Sequence, residues 1–390
     1  MRTITINKNK TDAILRGHPW VFSGAIQSTT EDLEDGEMVR LLTPKGDFLA
    51  IGHFQHATIA VRILSFKDRI INQDFWNERI SQAVALRKTL KLFNDHNNIV
   101  RLVHGEGDLM PGLIIDFYNG AAVVQCHSIG MFRSLDFIAH ALVHVLGKDL
   151  TAIYSKSSDT LPERIKPEDT FLFQSIHTPH RAMENGVSYE VDWVTGQKTG
   201  FFIDQRDNRS LVGNYSEGKK VLNTFCYSGG FSLAALQHGA KEVHSLDSSA
   251  KALELCKKNV ELNRFEGQHV TIQSDTHSYL RNTEEQYDLI ILDPPAYAKR
   301  RDKRHNAVQG YKRLNATALQ MLPPGGILFT FSCSQVVDKQ LFNHTVIAAA
   351  IEAKRNVRIL EQLHQPADHP IHAFHPEGEY LKGLVLQVID

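Results

Sequence analysis

The chain has 390 residues, of which 42% are hydrophobic and 22% charged. That is too long for one ordinary domain and has the balance of a water-soluble protein, so two or three domains are expected. A formal net charge of -1 excludes a protein that coats nucleic acid by bulk charge, but leaves room for a local basic site.

No apolar run reaches the roughly 18 residues that span a bilayer. The start, Met1-Arg2-Thr3-Ile4-Thr5-Ile6, alternates like a strand and lacks the apolar core of a signal peptide. A cytoplasmic protein with no membrane contact is expected. The four cysteines, Cys126, Cys226, Cys256 and Cys333, form no CxxC pair, and the 20 histidines show no HExxH spacing. This predicts reduced, mostly buried thiols and no metal site.

Residues 1–70 read as short strands (3–6, 38–42, 48–54 and 59–64) punctuated by Gly36, Pro44-Lys45-Gly46 and Gly52. They predict a small β-barrel with Trp20 and Phe22 in its core and the basic residues Arg16 and His18 near a turn. Apolar residues from Phe75 to Phe93 follow helical spacing, read as a linker between domains. Strands at 100–104, 112–117, 121–127, 152–156 and 187–194 then surround one helix over 131–146. Residues 71–190 are thus a linker helix and an α+β middle domain.

Over residues 191–390 the pattern becomes strand–helix alternation. Strands fall at 220–225, 242–247, 268–274, 287–292 and 326–332, with helices near 231–238, 250–263 and 313–321. This predicts an α/β domain with a parallel doubly wound sheet. Stretches 357–361 and 383–388 are expected to close one edge, the last one antiparallel.

The first of these strands leads into Phe225-Cys226-Tyr227-Ser228-Gly229-Gly230, a turn where glycines let backbone approach a ligand. It is not GxGxxG, so a nicotinamide enzyme is disfavoured. Asp247, Asp275 and Asp293 each end a strand, and ligands of such sheets bind outside the carboxyl ends of the strands. Asp247 is placed to accept hydrogen bonds from a ribose. An adenosine ligand without a diphosphate cradle points to S-adenosylmethionine. Asp293-Pro294-Pro295-Ala296-Tyr297 and Ser332-Cys333-Ser334 end the last two parallel strands. From the residues alone, Cys333 is either a nucleophile or a small residue buried at a strand end. The run Lys299, Arg300, Arg301, Lys303 and Arg304 is either a solvated loop or a phosphate contact.

Taken together, several segments resemble a known family. These are His18-Pro19-Trp20-Val21-Phe22-Ser23-Gly24, Gly105-Glu106-Gly107-Asp108, Lys198-Thr199-Gly200, Asp204-Gln205-Arg206, Asp293-Pro294-Pro295, Ser332-Cys333-Ser334 and Pro376-Glu377-Gly378-Glu379-Tyr380-Leu381-Lys382-Gly383. The family is the bacterial S-adenosylmethionine-dependent 23S ribosomal RNA cytosine-C5 methyltransferases with an N-terminal PUA domain, and the match covers nearly the whole chain. It implies an N-terminal PUA-like β-barrel, an α+β middle domain and a C-terminal Rossmann-like methyltransferase domain.

Strand order gathers Gly229, Gly230, Asp247, Asp275, Asp293 and Cys333 in one crevice, with Phe225, Tyr227, Ser228 and Pro294; the resemblance implies Asp204, Gln205 and Arg206 beside that cofactor pocket and favours Cys333 as the nucleophile. Asp293 would bond the base edge and Tyr297 stack on a flipped-out base. Arg16, His18 and the 299–304 run become RNA contacts, to large-subunit ribosomal RNA. A homodimer is compatible with this reading. Two alternatives stand beside it. One is methylation of a guanine or adenine nitrogen through Asp293-Pro294-Pro295-Ala296-Tyr297. The other is a non-catalytic RNA-binding assembly factor.

Overall fold

The computed structural model describes residues 1–29, 32–298 and 300–390. The chain divides into two compact units. The first comprises Met1–Ala182, Val191–Ile203 and Ala367–Gly378, and the second Met183–Glu190, Asp204–Pro366 and Glu379–Asp390. No helix among the described residues is long and apolar enough to cross a membrane.

In the first unit, β1 (Arg2–Ile6), β2 (Trp20–Phe22), β3 (Ile26–Thr29), β4 (Met38–Leu42), β5 (Phe48–Phe54) and β6 (Ile59–Ser65) form a six-stranded sheet in the order β2-β6-β5-β4-β1-β3. Alternate residues such as Ile4, Ile6, Val39, Leu41, Val61 and Ile63 meet in one core, and α1 (Thr11–Leu15) adds Ile14. Trp20 and Phe22 do not join this core. An indole N–H needs an acceptor, and that of Trp20 donates to Glu106 at 2.8 Å, while Phe22 is 45% exposed.

Five further strands, β7 (Ile99–His104), β8 (Leu113–Tyr118), β9 (Ala121–Cys126), β10 (Ala152–Ser155) and β11 (Thr170–Phe173), build a sheet in the order β11-β10-β9-β8-β7. The expected linker is α2 (Gln73–Thr89), started by the Asn72 side chain accepting from Phe75 N–H. It is not a linker. Phe75, Trp76, Ile80, Ala83 and Val84 are buried in the core of this sheet. Large apolar side chains gain about 1.5–3 kcal/mol each by burial, which draws the helix onto the strands. The helix expected over 131–146 is broken at Ser134 into α3 (Ile129–Arg133) and α4 (Leu135–Leu146), and the Ser134 hydroxyl donates to Gly130 O at 2.9 Å.

A hairpin of β12 (His180–Glu184) and β13 (Val187–Val191) turns on Asn185 (φ 50°) and Gly186 (φ 83°), two left-handed residues that suit strand twist. β13 stops at Val191 rather than at 194. The Asp192 carboxylate accepts from the N–H groups of Val194 and Thr195 at 3.0 and 2.9 Å, and so folds the chain into a turn.

The second unit is a seven-stranded sheet of β14 (Lys220–Thr224), β15 (Glu242–Asp247), β16 (Gln268–Gln273), β17 (Leu289–Leu292), β18 (Ile327–Ser332), β19 (Val357–His364) and β20 (Lys382–Val388), in the order β16-β15-β14-β17-β18-β20-β19. The first five run parallel, and β20 is antiparallel to both β18 and β19. Successive residues of β17 feed opposite cores. Leu289 and Ile291 pack with α5 (Arg206–Asn214) and α6 (Gly230–Gln237). Ile290 and Leu292 pack with α8 (Thr276–Asn282), α9 (Arg304–Met321) and α10 (Lys339–Ala353), while α7 (Ala250–Glu261) brings Cys256 and Leu253 to Cys226. Burial on both faces explains why these strands read as unbroken apolar runs. Chain order reverses between β14 and β17, so their carboxyl ends open a crevice.

Candidate active site

The turn after β14 is backbone-driven. Phe225 (φ 54°), Tyr227 (φ 45°) and Gly229 (φ 85°) are all left-handed. For the two non-glycine residues that costs about 1–2 kcal/mol each and persists only where surroundings enforce it. Cys226 N–H donates to Leu246 O at 3.1 Å, and Tyr227 N–H to the Asp247 carboxylate at 3.1 Å. The Asn259 amide donates to Ser228 O at 2.9 Å. A Cβ on Gly229 would lie 2.5 Å from Cys256 Sγ, so only glycine fits. The second oxygen of Asp247 accepts from Ser249 N–H at 2.9 Å, which fixes the carboxylate beside the turn. Cys226, Ser228 and Gly230 are buried, and Phe225 and Tyr227 half-buried.

Asp275 stands apart from this group. It follows β16 at the outer edge of the sheet, is exposed, and accepts from Ser278 N–H at 2.9 Å as the cap of α8. That backbone hydrogen bond holds its carboxyl below the usual range.

Asp293 and Cys333 leave neighbouring parallel strands, with Leu292 paired to Thr330. Both are half-buried, and Pro294 is buried. The Ser334 hydroxyl donates to Ala298 O at 2.6 Å, tying the Cys333 turn to the segment after Asp293. Tyr297 is not presented as a free stacking platform. Its ring lies 4.7 Å from that of Tyr311 and against Gly310, and burial pushes its phenol up.

Asp204 and Gln205 lie in the 3-10 turn Ile203–Gln205 and Arg206 starts α5; all three are buried. Asp204 accepts from the Tyr380 hydroxyl at 2.8 Å, and Gln205 accepts from the Asn208 amide at 2.6 Å. Arg206 lies 3.6 Å from Glu184, which also takes two hydrogen bonds from Arg209 at 2.7 Å each. A buried carboxylate thus stands beside the Arg206 guanidinium.

Of the basic run, Arg300, Arg301, Lys303 and Arg304 are exposed, and Lys299 lies outside the described residues. Arg300 sits 3.8 Å from Asp302. In the first unit, Arg16 is exposed and 4.0 Å from Asp12. The side chain of His18 is only 17% exposed, and Trp20 N–H donates to its Nδ1 at 3.1 Å. The same Nδ1 lies 3.2 Å from Trp20 O, and Nε2 lies 3.7 Å from Glu377. His18, His375 and Glu377 bring ligand-type atoms within 4.8 Å of one another.

Two side chains were not assigned from sequence. Tyr380 holds Asp204, and Lys382 donates to Ser334 O at 2.7 Å. The signal for Lys382 was a lysine opening a mostly apolar strand, Lys382–Val388.

A family model for S-adenosylmethionine-dependent methyltransferases matches residues 100–383, and a PUA-like domain model matches residues 4–66. The chain is 39% identical to the ribosomal RNA large subunit methyltransferase I of Tolumonas auensis and 38% identical to that of Aeromonas hydrophila, with 99% of each chain covered. A protein described as a SAM-dependent methyltransferase from Streptococcus mutans superimposes at a TM-score of 0.84 and 22% identity. One described as a methyltransferase complexed with SAH gives 0.85 and 22%; both pairs cover 100% of each chain, a likeness of fold. The glycine turn that excludes a Cβ and the carboxylate fixed at the end of β15 suit an adenosine-bearing cofactor. The chain belongs to the S-adenosylmethionine-dependent methyltransferase family and carries a PUA-like domain at its N-terminus.

Proposed function

We propose that this protein methylates C5 of a cytosine in large-subunit ribosomal RNA, with Cys333 as nucleophile. The observation that carries the reading is the pairing of Asp293 and Cys333 at the ends of adjacent parallel strands, laced by the Ser334–Ala298 hydrogen bond. The names of the relatives support ribosomal RNA as substrate. A cytoplasmic location follows from that substrate.

Cytosine C5 is a poor nucleophile. The Cys333 thiolate donates a pair to C6, and the C5–C6 π electrons become available at C5. Asp293 hydrogen-bonds the N3–N4 edge and favours that addition. Bound S-adenosylmethionine supplies an electrophilic methyl group. Loss of the C5 proton to a base then re-forms the double bond and expels the thiolate. Asp247 bonds the ribose, and the Phe225–Gly230 turn, with Pro294, Asp204 and Gln205, shapes the cofactor side. Asp275 acts there through α8, which it caps. Residues 1–70 and 71–190 form two RNA-holding domains, and residues 191–390 the catalytic one. Arg16 and the exposed 300–304 run contact phosphate.

Mapping ribosomal RNA methylation in a strain lacking the protein, then in the restored strain, tests this. One cytosine C5 methyl is expected to vanish and return, and RNA bearing 5-fluorocytosine is expected to trap a covalent adduct. A methyl on a base nitrogen, with no adduct, would overturn the C5 reading. Gly229→Ala is expected to weaken S-adenosylmethionine binding about tenfold or more, because a positive φ and Cys256 both oppose the Cβ. Unchanged affinity by calorimetry would remove this turn from the cofactor site.

A further inference from the structure

Lys382 is buried and stands opposite Ser332 in the last rung between β18 and β20. Next to it, a Cβ on Gly383 would meet Thr330 O at 2.8 Å and Phe331 Cδ1 at 2.6 Å, so β20 lies tight against the strand that leads to Cys333. From that rung the Lys382 ammonium spans the strand end and donates to Ser334 O at 2.7 Å. Cys333 sits between these two serines, close enough for a charge on its sulfur to favour the ammonium. One carbonyl does not neutralise a buried charge, and lysine is rarely buried without an anionic partner.

Among the described residues, other cations near the site are placed differently. Arg206 faces Glu184, and Arg300, Arg301, Lys303 and Arg304 are exposed. Among the described groups, Glu379 and Asp338 act on the lysine, and Cys333 and Asp293 both act on Tyr311. Burial pulls Lys382 down to about 8, and Cys333, Glu379 and Asp338 oppose that fall. Such a lysine exchanges a proton near neutral pH. An ordinary thiol, at about 8.5, is only a few per cent ionised there.

We propose that Lys382 is the positioning residue that keeps Cys333 as a thiolate. The thiol S–H bond breaks as an N–H bond forms on the lysine amine, leaving a thiolate–ammonium pair with no change in net charge. The inference rests on the cytosine reading only for what the thiolate does next.

Cys333 is half-buried and the other three cysteines are buried, so iodoacetamide on the folded protein reports on Cys333, identified by peptide mass. In the wild type the alkylation rate is expected to inflect below the ordinary thiol value of about 8.5. In Lys382→Met it should fall about tenfold or more at pH 7, the loss that a one-unit rise produces, while Lys382→Arg stays close to wild type. A Lys382→Met profile identical to wild type, with S-adenosylmethionine still bound by calorimetry, would overturn the proposal. If Lys382→Met does not fold, a wild-type inflection at or above about 8.5 overturns it and a lower one supports it. A low inflection without a 5-fluorocytosine adduct keeps the ion pair and rejects the cytosine reading. An adduct with an ordinary inflection does the reverse.

Discussion

Replacing Cys333 by alanine is expected to lower methyl transfer by about four orders of magnitude or more, while S-adenosylmethionine binding is retained. The loss is large because the proposed mechanism needs a thiolate to add to C6, and the other three cysteines are buried. Cys226 and Cys256 are buried behind the cofactor turn, and Cys126 is buried in the first unit, where burial pushes its thiol up to about 12. The Cys226 thiol engages the Cys256 sulfur, which raises Cys226 and lowers Cys256, so both are spent on each other. Fold should survive, because Cys333 contributes a small, half-buried side chain to the edge of its core. Labelled-methyl transfer and calorimetry on the same preparation separate the two effects. Wild-type turnover by Cys333→Ala would sink the covalent mechanism.

Glu184→Ala is the change expected to cost most in stability, about 3–5 kcal/mol. Glu184 accepts both arms of the Arg209 guanidinium at 2.7 Å and lies 3.6 Å from Arg206, all within the second unit and almost fully buried. Removing the carboxylate leaves two guanidinium groups in a low-dielectric site without that counter-charge. Against a typical total of about 5–15 kcal/mol, that is a large fraction. A lower urea midpoint with an unchanged slope is the expected signature. Glu184→Met combined with Arg209→Met should recover much of the loss, because the Arg209 charge then no longer needs a partner. A loss under about 1 kcal/mol for the single change would mean that water reaches the site.

Local patterns carried much of the fold. Strands buried on both faces, such as Leu289–Leu292 and Ile327–Ser332, announce themselves as apolar runs, and the helices between them follow from their periodicity. The turn at Gly229 and the carboxylates at strand ends were equally visible, because strand alternation forces their placement. Where reading by period went wrong, a side chain had a partner far along the chain. Trp20 left its sheet for Glu106, and the helix from Gln73 to Thr89 joined the core of strands that follow it.

The sequence by itself determined a parallel sheet whose strand ends hold a carboxylate and a thiol, and hence the class of chemistry. Only the tertiary structure decided which charge attends the thiol. Lys382 lies 49 residues beyond Cys333 in chain order and is brought beside it by the antiparallel pairing of β20 with β18. No local periodicity encodes that rung. It is set by which strand buries best against Ile327–Ser332, and Gly383 lets it come close.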